Sequence, residues 1–183
     1  MQHLGTLPLE TEGLILRPLC LEDAPAMFDH WASDPEVARY VSWEPHPDLE
    51  STKALLSSWV PHYQQDPSFY HWGIVLKSTE QLVGTISFVS VSDQDLSAEL
   101  GYCLGRPWWG KGLMTEAGQV VLAFGFQKVG LNRIEAMFDV RNPASGRVME
   151  KLGMTYEGLS REARMVKGQL VTVKHYAKLR RDP

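Results

Sequence analysis

Apolar residues recur with helical spacing in several parts of the chain, and this pattern predicts its helices. Helices are predicted over residues 21–33 and 112–127, because the apolar positions of each fall on one helix face. The first face consists of Ala24, Met27, Phe28 and Trp31, and the second of Leu113, Met114, Ala117, Val120, Val121 and Phe124. A helical region over 48–65 is predicted to be irregular because it contains a proline. A last helix is predicted to begin at the capping residue Asn142 and to end at Gly153.

Segments rich in β-branched and aromatic residues predict the strands. These segments span residues 14–19, 70–76, 82–91, 97–104, 131–140, 156–166 and 170–180. The second and third segments form one predicted antiparallel hairpin, and the last two form another. The order is strand, helices, hairpin, strand, helix, strand, helix, hairpin. This order predicts a mixed α/β fold and not a regular βαβ repeat.

Composition narrows the class of protein. A chain of 183 residues predicts one domain, since domains average roughly 150 residues. Hydrophobic residues make up 44% and charged residues 22%, as in ordinary globular proteins. The net charge of -4 gives no basic excess for nucleic-acid binding, and two cysteines provide neither a disulfide framework nor a zinc site. Without a signal peptide or a membrane-spanning apolar stretch, we expect a cytoplasmic protein with no membrane partner.

A glycine-containing loop lies between the strand 97–104 and the following helix, and three interpretations of it are open. From Gly105 to Lys111 the loop matches the P-loop pattern G-x-x-x-x-G-K. However, Gly112 stands where a P-loop needs Ser or Thr to bind magnesium, and Pro107 has no N–H to donate. Alternatively, Gly110 and Gly112 let a pyrophosphate approach the backbone and the N-terminus of the helix. The third interpretation is an ordinary structural turn.

The segment from Trp109 to Ala117 resembles the acetyl-CoA-binding segment of the GNAT N-acetyltransferase superfamily. The superfamily pattern is Arg/Gln-x-x-Gly-x-Gly/Ala, and here Trp109 and Met114 replace its first and last residues. Trp-Gly-x-Gly followed by Thr-Glu-Ala is usual in the branch containing the RimJ and RimL ribosomal-protein acetyltransferases. Segments at 14–18, 97–102, 142–154 and 157–158 resemble the same branch. The resemblance therefore extends over about residues 14–180.

This resemblance implies a single N-acetyltransferase domain over residues 1–183 with a mixed, mostly antiparallel sheet that is splayed in the middle, and helices on both faces. It implies direct transfer of an acetyl group from acetyl-CoA to a primary amine, without a metal. The acceptor is then a protein N-terminus, such as that of a ribosomal protein, or a small-molecule amine, and a homodimer is left open. The cofactor-binding residues implied are Leu100, Gly101, Tyr102, Cys103, Trp109, Gly110, Lys111, Gly112, Leu113, Met114, Thr115, Asn142 and Ser145.

Two residues are the candidates for proton transfer. Glu99 is the candidate base, because a carboxylate within an apolar strand is costly unless it has a partner or a function. Solvent exposure or pairing with an arginine would instead give Glu99 no catalytic role. Ser145 is the candidate acid or partner of the CoA sulfur, because it shares the buried face of its helix with Met149 and Leu152. Many GNAT enzymes have a proton-donating tyrosine where this chain has Met149, and the resemblance implies that the RimJ/RimL-like branch uses the serine of Asn-x-x-Ser instead. The other interpretation of Ser145 is that it only satisfies N–H groups at the start of its helix.

Other residues of the chain suggest other chemistry. A Cys103 nucleophile with a histidine base would give a covalent, ping-pong enzyme, but no histidine lies near it in sequence. Trp43 and His46 lie in a loop that could contact the acceptor. The two functional alternatives are a P-loop nucleotide enzyme and a non-catalytic acyl-CoA-binding module.

Overall fold

The computed structural model describes residues 1–183, and its eight strands form one sheet. The strands are β1 (Leu9–Glu10), β2 (Leu14–Arg17), β3 (Tyr70–Leu76), β4 (Leu82–Ser92), β5 (Ser97–Leu104), β6 (Arg133–Asp139), β7 (Thr155–Val166) and β8 (Gln169–Leu179). Their order in the sheet is β1-β2-β3-β4-β5-β6-β8-β7. Every pair is antiparallel except β5 and β6. The predicted mixed, mostly antiparallel fold is confirmed.

The helices lie where the sequence predicts them. They are α1 (Ala24–Met27), α2 (Leu49–Trp59), α3 (His62–Gln65), α4 (Leu113–Phe124) and α5 (Pro143–Lys151). Helix α1 is preceded by a 3-10 turn, Leu21–Asp23, and followed by a π-helical turn, Phe28–Ala32, so the chain is helical over the predicted segment. Helix α4 likewise continues into a π-helical turn, Gly125–Val129. No helix has both the length and the apolar composition needed to cross a bilayer.

The helices cover both faces of the sheet. The larger hydrophobic cluster joins one face to α4 and α5, and includes Leu100, Ile134, Val121 and Met149. A smaller cluster joins the other face to α1 and α2, with Trp31 and Leu56 at its centre. We call these the α4 face and the α1 face. Because side chains alternate along a strand, β2, β3, β4 and β5 each contribute to both clusters.

The sheet opens in its middle, between β5 and β6. These strands pair only over Ser97–Glu99 and Arg133–Glu135. Beyond those three pairs, residues 100–104 of β5 and 136–139 of β6 have no partner in each other. We call the space between these unpaired halves the cleft. The splay that the resemblance implies is therefore present. Since β5 and β6 run parallel and pair only at their starts, the cleft opens toward the segments that lead into α4 and α5.

Candidate functional site

Backbone groups of β5 line one side of the cleft. The Gly105 N–H donates to Val83 O of β4 at 2.9 Å, whereas Leu96 O accepts at 2.7 Å from the segment that enters β6. Successive residues of a strand direct their backbone groups to opposite sides, so Leu100 and Tyr102 turn theirs away from β4. Tyr102 lies beyond the last β5–β6 pair. Its N–H and C=O therefore face the cleft without a partner strand.

The same alternation directs the backbone groups of Gly101 and Cys103, the other two predicted cofactor-binding residues of β5, toward β4. Gly101 pairs with Ser87 and Cys103 with Thr85 in the β4–β5 ladder. Their backbone groups are directed into that ladder and away from the cleft. Of the four residues from Leu100 to Cys103, the geometry thus selects Leu100 and Tyr102 as those that turn backbone groups toward the cleft, and Tyr102 lies further from the last β5–β6 pair.

A run of unpaired N–H groups lies at the start of α4. The backbone N–H groups from Gly110 through Thr115 donate no hydrogen bond to any protein atom, and the ladder of the helix begins with Glu116 N–H to Gly112 O at 3.0 Å. Gly110 and Gly112 have φ of +74° and +80°, and nothing lies within 4 Å of a Cβ placed at either. We call this run the cradle. Six adjacent donors at a helix N-terminus attract an anion.

The first half of the loop is folded on itself and does not wrap a ligand. Its residues form a 3-10 turn, Arg106–Trp108, in which the N–H groups of Trp108 and Trp109 donate to Gly105 O and Arg106 O. The exposed Trp109 also donates through its Nε1 to Leu104 O at 2.6 Å, at the rim of the cleft. A P-loop uses the N–H groups of this half for phosphate, so the turn disfavours the P-loop interpretation.

Helix α4 is fixed by a glutamate that the sequence analysis did not single out. Glu116 accepts hydrogen bonds from Gly13 N–H at 2.9 Å and from the Thr11 hydroxyl, both in the β1–β2 turn. These bonds tie the first turn of α4 to the edge of the sheet. The Thr-Glu-Ala segment noted in the sequence therefore contains the residue that anchors the cradle. The contact of Glu116 with Thr11 and Gly13 joins positions more than 100 residues apart, and a single sequence gives no sign of it.

The side chains of the cradle differ in exposure. Lys111 is exposed and has no hydrogen-bond or ion-pair partner, so it is available to an anion. Leu113 and Thr115 are half-buried, and Met114 is buried in the larger cluster. Only the backbone of Met114 therefore belongs to the cradle.

Tyr102 and Ser145 meet across the cleft, on the α4 face. The Tyr102 hydroxyl donates to Ser145 O at 3.0 Å and shares a hydrogen bond of 2.9 Å with Ser145 Oγ. Burial raises the pKa of Tyr102 to about 12, and the bond to Ser145 opposes that rise only in part. Tyr102 was predicted to contribute its backbone, and this contact shows that its side chain also reaches the site.

Asn142 occupies the position immediately before α5, but its side chain makes no capping hydrogen bond. The predicted cap is therefore wrong in its chemistry. The backbone supplies the bond instead, since Ser145 N–H donates to Asn142 O at 3.2 Å. The side-chain amide of Asn142 is left without a protein partner.

Glu99 lies on the α1 face, at the narrow end of the cleft. It is half-buried and has no hydrogen-bond or ion-pair partner. Its neighbour in β6 is Glu135, which is paired with Arg133 at 3.0 Å, and Arg133 also binds Glu157. Both glutamates raise the pKa of Arg133, the bond to Glu157 most. Glu99 is thus the one carboxylate of this group without a cation.

Cys103 shares the α1 face with Glu99, where it packs against the smaller cluster. It is a free cysteine without a hydrogen-bond partner. Burial raises the pKa of its thiol to about 12, so the thiolate that a covalent route requires is not formed at neutral pH. This environment disfavours the ping-pong alternative.

Trp43 and His46 lie together in the loop before α2. Their rings meet edge to face with centroids 6.2 Å apart, and His46 Nδ1 is 2.7 Å from Thr52 Oγ1. Burial lowers the pKa of His46, although the charge of Asp48 opposes this. Both rings lie on the α1 face. The contact with Thr52 joins the His46 ring to helix α2.

The arrangement places different chemistry on the two faces of the cleft. An unpaired carboxylate, Glu99, lies on the α1 face, while the hydroxyls of Tyr102 and Ser145 lie on the α4 face. The cradle follows β5 at the wide end. Such a cleft can hold an extended chain with an anionic end, and can act on its reactive group from two opposite sides.

Comparison with known proteins agrees with this geometry. A family model described as the acetyltransferase (GNAT) domain matches residues 13–155. The uncharacterized N-acetyltransferase p20 of Bacillus licheniformis is 34% identical over 174 residues, which cover 95% of this chain and 97% of that protein. The ribosomal protein uS5-alanine N-acetyltransferase of Escherichia coli is 26% identical over 88% of this chain and 84% of its own length.

Solved structures show the same fold. The RimL ribosomal L7/L12 α-N-protein acetyltransferase, solved in complex with coenzyme A, superposes with a TM-score of 0.84 at 20% identity. The match covers 94% of this chain and 98% of that one.

Proposed function

Because the chain belongs to the GNAT acetyltransferase family, in its RimJ/RimL-like branch, we propose that it transfers the acetyl group of acetyl-CoA to a primary amine. The observation that carries this proposal is the joint presence of the cradle and the open cleft. Together they match the two ends of an acyl-CoA, an anionic pyrophosphate and an extended thioester arm.

The cradle suits the pyrophosphate of the co-substrate. Its N–H groups from Gly110 to Thr115 have no protein partner, and a helix N-terminus favours negative charge. The exposed Lys111 adds a cation. The pantetheine arm then lies in the cleft, where the backbone of Tyr102 and the Asn142 amide are open to it. The Tyr102 N–H can also donate to the thioester oxygen as negative charge develops there.

The amine reaches the thioester from the α1 face. A neutral amine attacks the carbonyl carbon, a C–N bond forms, and the nitrogen gives up a proton to Glu99, directly or through water. The unpaired carboxylate of Glu99 also attracts the incoming ammonium. An α-amine suits this site, because its pKa of about 7.7–8.0 makes the neutral form easier to obtain than that of lysine, at about 10.4.

The thiolate leaves toward the α4 face. As the C–S bond breaks, the sulfur takes a proton or a strong hydrogen bond from Ser145. Tyr102 holds the Ser145 hydroxyl at 2.9 Å and can return a proton to it. With its pKa raised to about 12, Tyr102 stays protonated between turnovers. The products are an amide and coenzyme A, and no covalent enzyme intermediate is formed.

The acceptor we propose is the N-terminal α-amine of a protein. The relative from Escherichia coli is named for acetylating an alanine of a ribosomal protein, which supports a ribosomal-protein N-terminus as the first candidate. The non-catalytic acyl-CoA-binding module is less well supported, because such a module has no use for an unpaired carboxylate and a paired hydroxyl on opposite sides of its cleft.

Calorimetric titration with acetyl-CoA, without magnesium, tests the cradle. Gly112→Ala should weaken binding about tenfold or more, because charge-assisted hydrogen bonds contribute about 1.5–3 kcal/mol each. Gly5→Ala is the matched control, since Gly5 also has positive φ, +67°, and open space around a Cβ. Equal affinities of the two variants would remove the cradle, and binding of Mg-ATP in place of acetyl-CoA would restore the P-loop interpretation.

Acetylation of short peptides with a free N-terminus, followed by mass spectrometry and release of the coenzyme A thiol, tests the reaction. Transfer to the α-amine is expected. Tight binding of acetyl-CoA without transfer to any amine of a panel would instead establish a binding module.

A further inference from the structure

A cationic pocket lies at the wide end of the cleft, outside the machinery described above. It is a cavity of about 470 Å³ lined by Arg39, Tyr40, Arg141, Val166, Lys167 and Gln169. Three of these six side chains are cations and none is an acid. We call it the mouth pocket.

Segments from both halves of the sheet build the mouth pocket. Arg39 and Tyr40 belong to the 3-10 turn Ala38–Tyr40, which follows α1, and Arg141 follows the end of β6. Lys167 lies in the turn of the β7–β8 hairpin, and its Nζ donates to Ala38 O at 2.7 Å. The hairpin is thereby joined to the α1 side, across the opening of the cleft.

The cations of the pocket are held in place without being fully neutralised. Arg141 bonds through its Nε, at 3.0 Å, and its Nη2 to the buried carboxylate of Asp139, which leaves Nη1 unpaired. This bond lowers the pKa of Asp139, so the pair stays charged. The guanidinium carbons of Arg39 and Arg141 lie 5.3 Å and 5.9 Å from the centroid of the Tyr40 ring. Cation–π contact of this kind orients a guanidinium and leaves its charge in place.

The other two cations have loose partners. Lys167 is 3.5 Å from Glu44, and Arg39 is 3.6 Å from Glu36. The side chains of Glu44 and Glu36 are 71% and 53% exposed, so both carboxylates can turn into solvent when an anion enters. A carboxylate of a bound molecule can therefore take their place.

The residue spacing along β6 gives the separation between Glu99 and the pocket. Glu99 is level with Glu135 in β6, and Asp139, the partner of Arg141, is four residues further along the same strand. At about 3.3 Å per residue, this separation is about 13 Å. Glu135 and Asp139 fall on the same face of β6, so the pocket and Glu99 both belong to the α1 face. An extended peptide with its α-amine at Glu99 reaches the pocket with about its fourth residue.

On the basis of the function proposed above, we propose that the mouth pocket binds an acidic side chain of the acceptor, at about its fourth residue. The acceptor is then a protein N-terminus with an aspartate or glutamate near that position. A free amino acid carries its carboxylate too close to its amine to span 13 Å. The unpaired carboxylate of Glu99 at one end and the cations at the other match the ammonium and the acidic side chain of such a segment.

Peptides that differ in the position of one charge test this proposal. The probes are neutral octapeptides with an N-terminal alanine and a single Asp at position 2, 4 or 8, each compared with Asn at the same position. The measured quantity is the ratio of kcat/KM for the Asp peptide to that for the Asn peptide. We expect a ratio of about ten at position 4, since even exposed ion pairs can each contribute up to about fivefold and several act together. The ratio should approach one at positions 2 and 8, and it should fall in 0.5 M salt.

Charge-reversal variants locate the effect. Arg39→Glu combined with Lys167→Glu should abolish or invert the preference at position 4. Lys128→Glu is the matched control, because Lys128 is exposed, has no partner and lies after α4, away from the cleft. It changes the net charge in the same sense and should leave the ratio unchanged. Arg39→Glu alone keeps the test informative if the double variant fails to fold, because the Arg39 side chain is 59% exposed.

The outcomes separate this proposal from the proposed function. Acetylation of all peptides at equal rates would overturn the mouth pocket as an acidic-residue site and leave N-acetyl transfer intact. A preference at position 4 that survives the charge reversals would also overturn it. Failure to acetylate any peptide would overturn the proposed protein acceptor itself.

Discussion

Replacing Tyr102 by phenylalanine tests whether this residue and Ser145 act as one unit. The substitution removes one hydroxyl that donates to Ser145 O at 3.0 Å and lies 2.9 Å from Ser145 Oγ. The ring stays in the core. We expect Ser145→Ala to lower kcat about 10- to 100-fold, in the lower range for a proton-transfer group. Tyr102→Phe should lower it about 2- to 12-fold, since a hydrogen bond that orients a group contributes about 0.5–1.5 kcal/mol.

The double variant decides the question. If Tyr102 acts only through Ser145, the double variant should be no slower than Ser145→Ala, which corresponds to a coupling energy of about 1 kcal/mol. The assay is a pH–rate profile with saturating acetyl-CoA, followed by release of the coenzyme A thiol. High pH supplies no proton to the departing sulfur, so it should not rescue Ser145→Ala.

Tyr176→Phe is the matched control for this cycle. Tyr176 is a buried tyrosine whose hydroxyl donates to Glu150 of α5 at 3.1 Å, so its loss also removes a tyrosine bond to the same helix. It should lower stability without lowering kcat. Independent, multiplicative effects of Tyr102→Phe and Ser145→Ala, or an equal loss of kcat in Tyr176→Phe, would refute the reasoning.

Three further variants test other parts of the molecule. Glu99→Gln should slow acetylation at pH 7 and partly recover as the pH rises through the α-amine pKa near ~8, so a loss independent of pH would contradict a base role. His71 has a buried Nε2 without a partner, and burial lowers its pKa to about 4 from 6.5. As the pH falls, the unfolded chain therefore protonates His71 at a higher pH than the folded chain does. Between pH 6.5 and 4 the parent should lose about 3 kcal/mol more of its unfolding free energy than His71→Phe, as measured by urea titration. Equal losses in the two proteins would contradict this assignment to His71. Glu116→Ala removes the group that accepts hydrogen bonds from Gly13 N–H and from the Thr11 hydroxyl. It should weaken acetyl-CoA binding and lower Tm by about 2–4 °C for each kcal/mol of unfolding free energy lost. An unchanged affinity for acetyl-CoA would show that the cradle needs no anchor.

Local pattern is sufficient to predict most of the fold. Apolar spacing predicts the helices, and β-branched runs predict seven strands within one or two residues at most ends. The two-residue strand β1 is too short to show a period, so it was not predicted. The Asn142 cap fails because the rule concerns residue type, whereas the bond depends on the backbone conformation of that turn.

The site is predictable only where it is local in sequence. Gly110 and Gly112 predict the cradle, since both glycines and the helix they precede are adjacent in the chain. The pairs Tyr102–Ser145, Thr11–Glu116 and Ala38–Lys167 join positions 43, 105 and 129 residues apart. A single sequence gives no measure of such contacts, because they depend on how the strands are ordered in the sheet.

The narrow seam between β5 and β6 has a mechanical consequence. Only three residue pairs join strands β1–β5 to strands β6–β8, whereas β6 and β8 are joined by seven. Within the sheet, the two groups of strands therefore meet at one short seam, while the larger hydrophobic cluster also joins them through α4 and α5. On the proposed function, a thioester arm bound in the cleft would hydrogen-bond to exposed backbone on both sides of this seam, so the co-substrate itself would extend the connection between the two groups of strands.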